Sequence, residues 1–160
     1  MERVDVYFSL GSNMGDREAQ IEDAVSMMCD AFNCLPKAVS TFVETPSWGF
    51  EGRPFVNNCV LFRLLRTGTP EEHAISILRR IKSIESTLGR IQDVRFDENG
   101  KRIYQDRPID IDILYYGNYS INTPELTIPH PLIAERDFVL IPLREIARRE
   151  LLANHPEIID

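Results

Sequence analysis

Segments of strand and helix character follow one another in the order strand, helix, strand, strand, helix, strand, and both helical segments open on a capping residue. That order predicts an α+β fold: a ferredoxin-like sandwich with a mainly antiparallel sheet and helices packed on one face. The 160 residues are close to the size of one domain, and 43% hydrophobic residues can bury a core without disulfides or a structural metal. With no internal repeat and no linker-like stretch, residues 1–160 read as one domain.

The elements follow from local signals. Residues 4–10 (VDVYFSL) form an opening strand that Gly11-Ser12-Asn13 ends. Asp16 caps a helix over 17–32, where Ile21, Ala24, Val25, Met28 and Phe32 recur at helical spacing; Pro36 is expected to stop it. A second strand is expected over 38–44, a loop rich in Pro, Gly and Trp over 45–54, and a third strand over 55–65. Thr69-Pro70-Glu71-Glu72 is a helix start, with Thr69 as cap, Pro70 in the first turn and Glu72 at the capping-box position. Ile75, Leu78, Ile81, Ile84 and Leu88 give that helix its apolar stripe, and Gly89 ends it. A long polar loop over 90–108 turns at Asn99-Gly100 and leads to a fourth strand over 109–116. Thr127-Ile128-Pro129-His130-Pro131 is a stiff connection, and a last helix is expected over 138–149 after Asp137.

The net charge of −7 argues against broad binding to nucleic acid or to an anionic membrane, which both need a basic face. An acidic protein binds a nucleotide only with local arginines or a metal to offset its own field. No apolar run approaches the roughly 20 residues that span a bilayer. Met1-Glu2-Arg3-Val4-Asp5 carries charge where a signal peptide would be apolar, so a cytoplasmic address is expected. Cys29, Cys34 and Cys59 match no zinc spacing and read as buried free thiols.

Asp110 and Asp112 are the most informative pair. Two residues apart on a strand, their carboxylates share a face with Cα atoms about 6.5–7 Å apart. They can converge on one or two magnesium ions beside phosphates, while Ile111 and Ile113 face the core. Spacing alone fits an acidic pair at a solvent-facing strand end better, and it also fits a magnesium-dependent nuclease, against which the acidic net charge counts. The preceding loop carries Arg90, Arg95, Lys101, Arg102 and Arg107 among Asp93, Asp97, Glu98 and Asp106. Arginines beside paired acids are what phosphoryl transfer needs, since guanidinium groups hold the oxygens the metal leaves. His130 is held extended between two prolines, and Arg136 follows six residues later. Gly11-Ser12-Asn13-Met14-Gly15 lacks the lysine and glycine spacing of a phosphate loop and reads as a strand-to-helix turn. Around the second loop, Thr45, Pro46, Trp48, Gly49, Phe55 and Asn57 supply aromatic faces and an amide suited to a flat heterocycle, although an exposed loop closing over the core is the better reading of these residues alone.

Together these segments resemble a known family. Gly11-Ser12-Asn13, Thr45-Pro46, Phe55-Val56-Asn57-Asn58, Glu85 with Leu88-Gly89-Arg90, Arg107-Pro108-Ile109-Asp110-Ile111-Asp112-Ile113, and Ile128-Pro129-His130-Pro131 through Arg136-Asp137-Phe138 occur in order. They resemble the 6-hydroxymethyl-7,8-dihydropterin pyrophosphokinases of folate biosynthesis, over residues 6–146. The resemblance implies transfer of pyrophosphate from ATP to the pterin hydroxymethyl group with release of AMP. It implies two Mg²⁺ ions on Asp110 and Asp112, with ATP as co-substrate, and catalytic roles for these acids and for Arg90, Arg95, Arg102 and Arg107. Glu85, Arg90, Arg107, Ile113, Thr127, His130 and Arg136 would contact the nucleotide. Thr45, Pro46, Trp48, Phe55, Asn57, Asp110 and Phe138 would line the pterin site. A monomer acting on two small molecules, with no nucleic acid or membrane partner, is expected; a pterin- or nucleotide-binding module without turnover is the alternative. The sequence departs from the family at Gln92, where a second arginine is common, and at Pro131, where an aromatic is common. It departs again at Arg102 and Tyr104, which stand for an Arg-Trp pair, so Arg95 and Arg102 stay open as alternatives for the loop arginine.

Overall fold

The computed structural model describes residues 2–45, 53–89, 95–96, 98–100, 102–103 and 108–159. In chain order its elements are β1 (Arg3–Ser12), α1 (Arg17–Phe32), β2 (Ala38–Val39), β3 (Val43–Thr45), β4 (Phe55–Leu65) and α2 (Pro70–Thr87). There follow β5 (Arg95–Phe96), β6 (Arg102–Ile103), β7 (Asp110–Tyr116), β8 (Ile121–Asn122) and β9 (Thr127–Ile128). A 3-10 turn (Ile133–Glu135), α3 (Asp137–Ile146), α4 (Arg149–Asn154) and a final 3-10 turn (Pro156–Ile158) complete the order. The main sheet runs β2 and β3 together, then β4, β1 and β7, with all pairings antiparallel. This is the predicted ferredoxin-like arrangement, with β4 and β1 central and β7 at one edge.

Strand alternation divides the side chains between two cores. Val4, Val6, Phe8 and Leu10 of β1 join Val56, Val60, Phe62 and Leu64 of β4 under α1 and α2. Phe8, Phe32 and Phe62 meet there at centroid distances of 5.2–6.0 Å. The other face carries Tyr7, Cys59 and Leu61 under Val139, Leu140, Leu143 and Ile146 of α3 and Leu151 of α4. Helices therefore cover both faces, where the element order alone suggested one.

The boundaries differ from expectation where side chains replace backbone partners. Helix α1 ends through Asn33, whose left-handed backbone (φ 54°) closes it three residues before Pro36. The strand expected over 38–44 is two strands: Ser40 stays on β4, its N–H donating to the Cys59 carbonyl at 2.9 Å, but its hydroxyl takes the place of its carbonyl, and Thr41 turns to α3. The Ser40 hydroxyl accepts from the Cys59 N–H at 2.8 Å, and Thr41 gives its N–H and hydroxyl to Glu145 of α3 at 3.0 and 2.7 Å. In α2 the buried stripe is Ala74, Ile77, Ile81 and Ile84, while Ile75 is only half-buried. The helix expected over 138–149 splits at Ala147, after which the Arg148 N–H donates to the Tyr7 hydroxyl at 3.0 Å. Of the three free thiols Cys59 is fully buried, whereas Cys29 and Cys34 are half-buried.

The capping box at α2 forms as read: the Thr69 hydroxyl accepts from the Glu72 N–H at 3.2 Å, and the Glu72 carboxylate accepts from the Thr69 N–H at 3.0 Å. Replacing Thr69 with Ala is expected to cost about 1 kcal/mol. A melting temperature about 3 °C lower would register this, and an unchanged one would show the cap to be idle.

Candidate active site

Asp110 and Asp112 stand on β7, at the edge of the sheet, on the face that α3 covers only in part. Both are half-buried, and Ile111 and Ile113 between and after them are buried in the opposite core, as the strand period requires. A register shift opposite Tyr7 and Phe8 leaves Leu114 as an extra residue. Leu114 and Tyr115 therefore both join the α3 core, while Tyr116 returns to the α1 and α2 core. The pleat is regular only through the segment that carries the acids.

Two rows of residues cross the sheet here. Gly11 of β1 lies opposite Asn57 of β4 on one side and Asp110 of β7 on the other. One step along, Ser9 lies between Cys59 and Asp112. Adjacent strands are about 4.8 Å apart, so Asn57 and Asp110 are separated by about 10 Å with only a glycine between them. A Cβ on Gly11 would come within 2.5 Å of the Asn57 Oδ1 and 3.6 Å of the Phe55 ring. The missing side chain thus leaves a floor between an amide and a carboxylate. The Asn57 amide donates to the Thr45 hydroxyl at 3.3 Å, and Phe55, paired with Thr45, shares the face of Asn57. Thr45, Phe55, Asn57 and Asp110 are in this way brought together at one end of the sheet.

The nucleotide-side candidates approach from the β9 to α3 segment. A cis Ile128-Pro129 bond precedes His130, whose N–H donates to the Leu114 carbonyl at 3.0 Å. Its Nδ1 accepts from the Leu132 N–H at 3.2 Å, which assigns the ring proton to Nε2. Burial and the nearby Arg136 lower the His130 pKa, against the opposing pull of Asp110. A neutral ring with one outward N–H suits an anion. Arg136, at the start of α3, places a guanidinium nitrogen 4.0 Å from the Asp112 carboxylate and stacks over Phe138 at 5.5 Å. Burial, then the charge of Asp110, raise the Asp112 pKa to about 7 despite Arg136. A carboxylate so disfavoured as an anion gains most from a cation.

Other expected residues are placed as follows. Ile113 points into the α1 and α2 core, so any nucleotide contact at this position falls to its main chain. Glu85 is fully buried on α2, where its carboxylate accepts from the Ile111 N–H at 2.9 Å and meets Lys82 at 3.3 Å. Thr127 is exposed on β9, paired with Asn122. The residues after β1 form a turn: the Asn13 amide donates to the Arg53 carbonyl at 3.2 Å, and Arg17 donates to the Pro54 carbonyl at 2.9 Å. Asn13 and Arg17 thereby tie Arg53 and Pro54 to the turn after β1, a role the sequence did not signal. Arg95 and Arg102 lie on β5 and β6, which pair across the predicted Asn99-Gly100 turn, with Gly100 at φ 80°. Pro46, Trp48, Arg90 and Arg107 fall outside the described residues.

Paired half-buried acids, a cation and a histidine beside a glycine floor flanked by Phe55 and Asn57 are the equipment of a phosphoryl-transfer site on a ferredoxin-like sheet. The 7,8-dihydro-6-hydroxymethylpterin-pyrophosphokinase family matches residues 7–148, and the chain belongs to that family. It is 42% identical over 144 residues to 2-amino-4-hydroxy-6-hydroxymethyldihydropteridine pyrophosphokinase of Porphyromonas gingivalis, covering 89% of this chain and 90% of that one. Proteins of the same name from Aquifex aeolicus and Bacillus subtilis are 37% and 33% identical, over 88% and 89% of this chain and 79% and 78% of theirs. Among the described residues no helix is long and apolar enough to cross a membrane.

Proposed function

We propose that the protein transfers pyrophosphate from ATP to the hydroxymethyl group of 6-hydroxymethyl-7,8-dihydropterin, giving AMP and the pterin diphosphate. Family membership over residues 7–148 carries this reading. A binding module without turnover is not favoured, because the matching family and the relatives of 33–42% identity are pyrophosphokinases by name.

The donor set fits magnesium: two carboxylates on one strand face, with phosphate oxygens and water to fill the remaining positions. Asp110 and Asp112 would hold two such ions, which supply neutralisation of phosphate charge. In the reaction the pterin hydroxyl oxygen forms a bond to the β-phosphorus, the bond to the AMP oxygen breaks, and the hydroxyl proton is lost. Arg136 would hold phosphate oxygens as charge moves to the leaving group, and the Nε2–H of His130 would donate to another. Arg90, Arg107 and either Arg95 or Arg102 would complete that set. Thr45, Pro46, Trp48, Asn57 and Phe55 would line the pterin pocket, with Phe138 on the opposite ring face. No covalent intermediate is needed, because alignment and charge neutralisation account for the acceleration.

A structure with Mg²⁺, pterin and α,β-methylene ATP tests the metal assignment. It should place magnesium about 2.1 Å from oxygens of both Asp110 and Asp112. Metal bound elsewhere, or turnover that persists in excess EDTA, would contradict it.

A further inference from the structure

The fully buried carboxylate of Glu85 is an unusual object, since burying a charge is costly unless it is bonded. Its position is specific. As the edge strand, β7 has one side that β1 does not cover. On that side the Leu114 carbonyl is taken by the His130 N–H, and the Ile111 N–H is taken by Glu85. Ile111 is the residue between Asp110 and Asp112. Glu85 sits near the end of α2, whose stripe of Ile77, Ile81 and Ile84 is locked in the core, so its base cannot drift.

We infer that Glu85 is a positioning residue: its bond to the Ile111 N–H holds the strand pleat that keeps Asp110 and Asp112 on one face. The role rests on the reading of those acids as the metal clamp, but it assigns Glu85 no contact with metal or nucleotide. An edge strand lacking this bond is free to twist, and a small rotation there swings the two carboxylates apart. What matters is reach to the amide, not the charge. The half-exposed Lys82 ammonium, 3.3 Å from the other oxygen, can turn to water if the charge is removed.

Two near-isosteric variants separate reach from charge. Glu85→Gln keeps an acceptor at the same length, whereas Glu85→Asp keeps the charge and falls one methylene short. The readouts are hydrogen exchange of the Ile111 amide by NMR and the Kd for α,β-methylene ATP with Mg²⁺. The strut predicts that Glu85→Gln keeps the amide protected and the Kd within about threefold, while Glu85→Asp loses protection and weakens the Kd by about 10- to 100-fold. The reverse order, or an Asp variant with wild-type exchange and Kd, would overturn it. Wild-type protein that bound the analogue equally well without Mg²⁺ would instead sink the clamp reading, and the Ile111 exchange rates would still report on the strut.

Discussion

Replacing Asp112 with Ala or Asn is expected to lower turnover by at least about a thousandfold, or about 4 kcal/mol of barrier, while raising the stability of the free protein. The two effects have one cause. Burial and Asp110 raise its pKa to about 7, above the unfolded value of about 3.9. Between those values the folded state binds more protons than the unfolded state, so this group's contribution to stability falls as pH rises from about 4 to about 7. Its side chain is 35% exposed, so solvent screening reduces the penalty to on the order of 1 kcal/mol. Thermal melts of the metal-free protein should therefore show the Asn variant more stable than wild type at pH 8, with the advantage shrinking toward pH 4. Equal melting temperatures at pH 8, or a variant that retains turnover, would remove the argument that the site is strained to receive a cation.

Gly11→Ala is expected to have the second largest effect. Its Cβ would lie 2.5 Å from the Asn57 Oδ1, inside any real contact distance. The amide must then move, which breaks its bond to Thr45 and fills the floor between Asn57 and Asp110. Overpacking of this kind costs about 1–3 kcal/mol, so pterin affinity should fall by about 10- to 100-fold. Nucleotide affinity should change much less, because His130 and Arg136 approach from another segment. Calorimetry with each ligand separately measures the difference. Equal losses for both ligands would mean that the substitution acts on the sheet as a whole.

Much of the fold was legible because its signals are local. Helix α1 and strand β4 have their expected bounds, since a cap, a 3.6-residue stripe and a continuous apolar run each act within a few residues. The misplaced boundaries have non-local causes. Glu145 reaches Thr41 from 104 positions away and interrupts a strand, and Tyr7, 141 positions away, takes the Arg148 N–H just past the end of α3. The acids were legible as a pair because a strand has a fixed period. The row of Asn57, Gly11 and Asp110 was not, since cross-strand register depends on where three distant segments settle. For the same reason Glu85 read as a nucleotide contact, and its bond to the backbone between the two acids was not foreseen.

The central claim is pyrophosphoryl transfer, and product analysis tests it most directly. Phosphorus NMR should follow the protein with ATP, Mg²⁺ and 6-hydroxymethyl-7,8-dihydropterin. Attack at the β-phosphorus predicts AMP and the pterin diphosphate appearing in equal amounts, with neither forming when the pterin is omitted. Accumulation of ADP, or of inorganic phosphate in place of the pterin diphosphate, would contradict the account.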